Sequence, residues 1–367
     1  MANNSTTQLF KSIQANLLKG HGMNHAAFVL LTFDKIEHKK VRSMIGSIKL
    51  TSSWQQFQDS KNYSAWKDTT TTDLEKGGLI DYSKAPKSQP IICFYLSYKG
   101  YQAIKKSNGW GREGHEPFMD GMSNRDLNDP PVEKWETSFQ KEIHGMLMVA
   151  HDDLDLVNKK INEYRKKWDP YIQMAEVQYG QKLTNKFGKT IEHFGYVDGI
   201  SQPYFKEVPT SKENKHSANA LWDPTASMDL VLADDPHPDI TGEYNKGSFL
   251  VYRKLEQNVK AFKEAEKALA HKLGLAGEAE EIAGALIVGR FENGLPIVKF
   301  GSTVSPEEPS EENNFNYSLD PDGIRCPFHS HIRKTNPRGD SKRSFGISDN
   351  TEKNHRILRV GITYDDI

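Results

Sequence analysis

The sequence predicts an α+β protein, on three observations. Short apolar runs with strand character alternate with stripes of helical spacing. Over the first half their order is β-α-β-β-α-β, and a strand–helix–strand order follows a polar stretch in the second half.

Residues 28–33 (Phe-Val-Leu-Leu-Thr-Phe) read as the first strand, and Ile36, Val41, Ile45 and Ile48 form a loose helical stripe after it. Residues 91–96 and 145–150 are apolar runs of strand length. Asp152 or Asp153 then offers an N-cap, and Leu154, Val157, Ile161, Tyr164 and Trp168 recur at helical spacing. Pro170 stops that helix, because proline lacks the N–H that would continue it. Residues 172–179 alternate as a fourth strand. This order is that of a ferredoxin-like unit with an antiparallel sheet, and residues 51–88 and 107–143 are polar excursions between its elements. Residues 1–204 are therefore assigned to an N-terminal unit, 205–246 to a polar connector and 247–367 to a partial second unit. In that second unit residues 248–252 read as a strand. Leu255, Val259, Phe262, Leu269 and Leu273 mark a helix face, and Gly274 is its stop. Residues 301–323 suit a polar surface loop, and 357–363 read as the next strand.

Composition narrows the function classes. The chain has 367 residues, enough for two packed domains. Its 48 basic and 49 acidic residues leave a net charge of −1, against nucleic-acid binding driven by bulk electrostatics. No apolar run approaches bilayer-spanning length, and the first residues lack the basic and apolar pattern of a secretory signal. Cys93 and Cys326 are the only cysteines, which suits a reducing cytoplasm better than a disulfide framework. Gly-rich phosphate loops, paired Cys-x-x-Cys zinc motifs and nucleophile elbows do not occur.

Three segments carry chemistry. Cys326-Pro-Phe-His-Ser-His-Ile-Arg-Lys-Thr-Asn-Pro-Arg338 places His329 and His331 beside Arg333, Lys334 and Arg338. A neutral imidazole can ligate iron, and guanidinium forks pair with carboxylates such as those of haem. Alone, the segment equally suits a basic loop that binds phosphate. In His193-Phe-Gly-Tyr-Val-Asp-Gly-Ile-Ser-Gln-Pro203, Asp198 precedes Gly199, whose backbone freedom lets a carboxylate be aimed; alone, the pair equally suits a turn. In His355-Arg-Ile-Leu-Arg-Val-Gly-Ile-Thr-Tyr364, Arg359 follows an apolar pair.

In that order these Asp, His and Arg motifs resemble the dye-decolourising peroxidases, a family of haem enzymes. The likeness extends through Ile13-Gln-Ala-Asn-Leu-Leu-Lys-Gly-His-Gly22, Gly121-Met-Ser-Asn-Arg125 with Trp135-Glu136, Gly247-Ser-Phe-Leu-Val-Tyr-Arg-Lys-Leu255 and Gly289-Arg-Phe-Glu-Asn-Gly-Leu-Pro296. It implies tandem ferredoxin-like units, the second shown here only by its β-α-β opening. The strands and helix that relatives place after the arginine strand lie outside this sequence. With them lies the acidic side chain that in many relatives orients the histidine.

The resemblance implies haem b (iron protoporphyrin IX) as cofactor, with His331 as metal ligand, Asp198 as distal acid–base and Arg359 as distal cation. Arg338 and Arg333 would meet the haem propionates, Arg338 being preferred, and Gly199, Ile200 and Ser201 would line the cofactor. His329 is a rival ligand that the motif register disfavours, and Cys326 another, which the Cys-Pro step suits better to burial under the loop. The implied reaction is reduction of hydrogen peroxide coupled to one-electron oxidation of phenolic or anthraquinone-type dyes. A carboxylate base implies a preference for acidic pH. The alternatives are a haem-binding storage, transfer or sensor protein, and a haem-free chain that partners a separately encoded C-terminal part. Hydrogen peroxide and small aromatic reductants are the implied partners, without nucleic acid or membrane, and a homo-oligomer stays open. With 14 Tyr and 6 Trp, nothing singles out a surface electron relay.

Overall fold

The structure, a computed structural model, describes residues 4–75, 85–86, 88–111, 113–208, 220–237, 242–300 and 312–364, leaving aside the side chains of 68–75 and 300. They group into two units: residues 1–181 with 231–251 and 364–367, and residues 182–230 with 252–363. The division falls at 181 where 204 was expected, and residues 231–246 of the expected connector, with 247–251 of the expected second unit, group with the first unit. The Asp198 segment therefore lies in the second unit.

The first unit contains α1 (Asn4–Ser12), β1 (His25–Phe33), α2 (His38–Gly46), α3 (Ser53–Glu75), β2 (Ile91–Leu96), α4 (Tyr98–Ala103), α5 (Glu116–Asp120), β3 (Gly145–His151), α6 (Leu154–Trp168) and β4 (Ile172–Gln181). Its sheet has the order β2-β3-β1-β4, with every neighbour antiparallel. This is the ferredoxin-like order. Strand residues two apart share a face, so Ala27, Val29, Leu31 and Phe33 of β1 join Leu147 and Val149 of β3 on one core surface. Against it α6 lays Val157, Ile161, Tyr164 and Trp168, spaced three or four apart. Asp153 caps α6 by accepting from the Asp155 N–H at 2.9 Å. Arg165, Lys166 and Lys167 sit in its last turn, where cations complement the helix dipole. Fully burying each aliphatic side chain contributes about 1.5–3 kcal/mol, so this one face dominates the unit's stability. The stripe after β1 narrows to α2, with Val41 buried and Ile36 86 % exposed. Residues 53–75, expected as a polar excursion, form α3 instead. Among the described residues no helix is long and apolar enough to cross a membrane.

The second unit contains α7 (Val259–Lys272), α8 (Glu281–Val288), α9 (Ile297–Phe300), α10 (His331–Thr335), α11 (Asp340–Phe345) and α12 (Asp349–Lys353). Its described strands are two-residue ladders, Leu183–Thr184 with Thr190–Ile191 and Tyr204–Phe205 with Thr225–Ala226. The Asn258 side chain caps α7, and Gly274 ends it at φ +69°. There the Gly274 N–H meets His271 O and the Leu275 N–H meets Ala270 O. Ile282, Ala285, Phe291, Leu295, Ile297, Phe315, Tyr317 and Cys326 form the core.

Two strand expectations are corrected. Residues 248–252 and 357–363 have the apolar, β-branched composition of strands, yet neither belongs to a ladder among the described residues. Composition makes a segment willing to pair, but a strand needs a neighbour. Val251 is 65 % exposed and Ile357 72 %.

Candidate functional site

The Asp198 carboxylate is aimed by the short loop before it. Residues 190–198 fold back on themselves through an Ile191–Val197 bridge and an Asp198 N–H bond to Thr190 O at 3.0 Å. Inside that loop the Glu192 carboxylate accepts from the Phe194 and Tyr196 N–H groups, at 2.9 and 3.0 Å. The Val197 N–H reaches Glu292 O at 3.1 Å, pinning the loop to the 290–296 turn. Gly199 then takes φ +83°, a region that L side chains avoid. A Cβ there would meet nothing within 4 Å, so conformation rather than space asks for glycine. This geometry lets the Gly199 N–H donate to Asp198 Oδ1 at 2.7 Å.

Arg359 meets the same oxygen, its Nη2 donating to Asp198 Oδ1 at 2.6 Å. Asp198 Oδ2 accepts no hydrogen bond from a described residue, which leaves one carboxylate oxygen open to exchange a proton. The two side chains remain 54 % and 36 % exposed, Arg359 and Asp198 in turn. An exposed ion pair contributes only about 0–1 kcal/mol. It cannot by itself hold an unpaired backbone segment in place. Gln202 does more: its Nε2 donates to Arg359 O at 2.9 Å and its Oε1 accepts from Arg359 N at 3.1 Å. Each such bond contributes about 0.5–1.5 kcal/mol net.

His331 opens α10. Its residue is solvent-accessible, but enough protein surrounds the ring that desolvation is the main cause lowering its pKa. The Arg359 charge lowers it further, while Asp198 and Glu192 oppose the shift. Burial thus favours the uncharged ring, and it lies close enough to Asp198 and Arg359 to feel both charges. His329 is exposed, and no hydrogen bond or ion pair ties it to a described residue. Cys326 is fully buried with its Sγ 3.0 Å from Ser330 Oγ, which removes it as a rival ligand.

The helix carrying His331 is fixed from below. Gly289 ends α8 at φ +95°, and a Cβ there would lie 2.3 Å from Ile332 Cγ1, so α10 rests directly on this glycine. Arg333 is buried. It donates through Nε to Asp340 Oδ2 at 2.6 Å and through Nη1 to Asp320 Oδ2 at 2.9 Å, with further bonds to Asp320 O and Cys326 O. Tyr317 and Phe328 lie against its guanidinium. Two carboxylates already match its charge, and through them Arg333 holds the loop.

Arg338 is buried too, at φ +48° after Asn336-Pro337. Its guanidinium lies 3.9 Å from both the Trp222 and Phe315 ring centres. It donates to Asn313 O, Phe315 O, Asn313 Oδ1 and Ser201 Oγ. Arg290, also buried, shares Ser201 Oγ and Asn313 Oδ1. Asn313 Nδ2 reaches Ile200 O at 3.3 Å, so this hub braces the Gly199-Ile200-Ser201 turn. Burial pulls the two guanidiniums down, to about 9 for Arg338 and about 10 for Arg290. Neither meets a carboxylate within ion-pair distance among the described residues, and Arg338 Nε has no partner. Buried cations without counter-anions, near the turn beside an imidazole, fit a ligand that brings both a metal and acidic groups.

Sequence reasoning missed Gln202, Asn313 and Glu192. Polar residues of this kind carry no periodic signal. The only hint was the place of Gln202 inside, and of Glu192 beside, a motif already singled out; Asn313 lay in the stretch read as a polar surface loop.

No family model matches the chain. A multifunctional dye peroxidase from Amycolatopsis sp. is 41 % identical over 241 residues, covering 65 % of this chain and 50 % of that protein. A dye-decolorizing peroxidase from Mycetinis scorodonius is 31 % identical, over 76 % of this chain and 55 % of its own length. The chain thus spans about half the length of these curated relatives. Among solved structures, a DyP-type peroxidase from Anabaena sp. matches with a TM-score of 0.82 and 35 % identity, over 98 % of this chain and 74 % of its own. The Amycolatopsis enzyme matches at 0.79 and 32 %, over 96 % and 71 %. On the ordered motifs, the α+β fold and these likenesses, the chain belongs to the dye-decolourising, or DyP-type, peroxidase family.

Proposed function

We propose that the chain carries the haem site of a peroxidase that reduces hydrogen peroxide and oxidises phenolic or anthraquinone-type dyes by one-electron steps. The observation that carries this reading is the Asp198–Arg359 pair at 2.6 Å, with the His331 ring close enough to feel both charges. His331 would hold the iron of haem b. Arg338, with Arg290 behind it, would meet the acidic groups, and the Gly199-Ile200-Ser201 turn would line the cofactor. The bound iron supplies the redox chemistry.

Asp198 Oδ2 would take the proton from one peroxide oxygen and deliver it to the other. The Asp198 Oδ1 bonds to Gly199 N–H and Arg359 keep the carboxylate oriented during that transfer. The Arg359 guanidinium stabilises negative charge as the O–O bond polarises. Small aromatic reductants would supply the two electrons that reduction of hydrogen peroxide to two waters consumes. Two buried, unpaired cysteines support a reducing cytoplasmic setting.

The experiment is peroxide-dependent dye bleaching by the haem-reconstituted chain and by its Asp198→Ala and Arg359→Leu variants. The reading requires bleaching by the parent and its loss in both variants while the Soret band is kept. Haem retention without bleaching in the parent would instead make the chain a haem carrier or sensor.

A further inference from the structure

We infer that Gln202 is a positioning residue for the Asp198–Arg359 pair, a role that rests on the peroxidase reading above. Among the described residues no strand holds the segment that carries Arg359. Upstream, Arg356 Nη1 bonds Asp223 O at 3.0 Å, and downstream Thr363 Oγ1 accepts from Leu183 N at 3.1 Å. Between those two anchors, the only backbone hydrogen bonds to residues 357–362 among the described residues come from the Gln202 carboxamide. An amide side chain has the donor and acceptor of a peptide group. Gln202 therefore does for Arg359 what one residue of a neighbouring strand would do.

The position of Gln202 gives this clamp its effect. It lies four residues after Asp198 on the same turn. The Asp198 carboxylate, the Arg359 guanidinium, the Arg359 backbone, the Gln202 carboxamide and the chain back to Asp198 close a ring. Ser201, inside that ring, is held by the buried Arg290 and Arg338. The turn is consequently rigid on one side, and the Arg359 segment is referred to it through Gln202. With the clamp gone, the exposed ion pair alone would have to set where the guanidinium stands. The pair would still form, but in more than one place.

The test uses Gln202→Met, which keeps length and loses both hydrogen bonds, and Gln202→Glu, which keeps the acceptor. The first readout is amide hydrogen exchange in the haem-free protein. Exchange of the Arg359 amide should quicken about tenfold in Gln202→Met, with peptides of β1 to β4 unchanged. The second readout is steady-state kinetics of the haem-loaded protein. Gln202→Met should lower kcat/KM for hydrogen peroxide about 10- to 100-fold, as small misplacements of reacting groups do. The KM for the dye and the Soret maximum should stay as in the parent. Gln202→Glu adds a pH signature. Its protonated side chain can again donate to Arg359 O, so its peroxide kcat/KM relative to the parent should recover as pH falls below about 4.3.

Unchanged Arg359 exchange in Gln202→Met would overturn the clamp. Faster exchange with peroxide kcat/KM within twofold of the parent would overturn the positioning role and leave the peroxidase reading intact. A parent chain that loads haem but is indifferent to Asp198→Ala would overturn that reading, and the positioning role with it, whatever the exchange data show.

Discussion

Arg359 Nη2 and Asp198 Oδ1 stand 2.6 Å apart although 161 residues separate them in sequence. Their contact is the point at which two of the three motifs become one site. It also divides labour within the carboxylate: Oδ1 is engaged by Arg359 and the Gly199 N–H, and Oδ2 is left to handle a proton.

If that division is right, Asp198→Asn and Arg359→Leu should each lower kcat/KM for hydrogen peroxide by about 100-fold or more. Folding should barely change, because an exposed pair is worth about 0–1 kcal/mol. Steady-state kinetics beside denaturant melts check both halves, and a loss of activity that tracks loss of folded protein would refute the assignment.

Arg333 is the converse case, a buried cation serving structure. Arg333→Met leaves the buried Asp320 carboxylate without its cation, while Asp340 keeps Arg343; breaking a buried pair in this way typically costs about 3–5 kcal/mol. A fall in the urea midpoint measures it. Asp340→Asn should cost less than Arg333→Met, because Asp320 still faces the guanidinium.

Gly289→Ala tests how α10 is seated. The new Cβ would press on Ile332, the residue after His331, at a backbone angle that disfavours alanine. Haem affinity should fall and spectral titration should show it. Pairing the change with Ile332→Ala should recover affinity in part, since it removes the clash but not the backbone strain.

A pH prediction concerns the first unit. Hydrogen bonds from Lys35 and then His144 hold the Glu142 carboxylate down at about 2. Its folded value lies below its ordinary 4.5, so it contributes stability above pH 4.5 that is lost as pH falls toward about 2. The side chain is 41 % exposed, so screening keeps the contribution below about 1 kcal/mol. The stability gap between the parent and Glu142→Gln should close across that window in pH-dependent melts.

Much of this was legible in the sequence, for physical reasons. The four strands and α6 announce themselves because burial on one face imposes a period on apolar residues, as Val157, Ile161, Tyr164 and Trp168 show. Asp198, His331 and Arg359 stood out as an ordered set of motifs. Helix α3 was missed because its sequence concentrates no apolar stripe. Residues 248–252 and 357–363 were read as strands because pairing depends on a neighbour that local pattern does not reveal. Arg333 was expected at the haem propionates; its burial rests on Asp320 and Asp340, and chemistry of that kind has no periodicity. Gln202 and Asn313 were invisible for the same reason.

The central claim is that the His331 imidazole would hold the haem iron at the site that Asp198 and Arg359 share. Its most direct test is the axial-ligand signature, by resonance Raman or electron paramagnetic resonance, of the haem-loaded parent, His331→Gly and His329→Ala. The account predicts imidazole ligation in the parent and in His329→Ala, its loss in His331→Gly, and its return when free imidazole is added to that variant. Imidazole ligation that survives in His331→Gly, or disappears in His329→Ala, would contradict it.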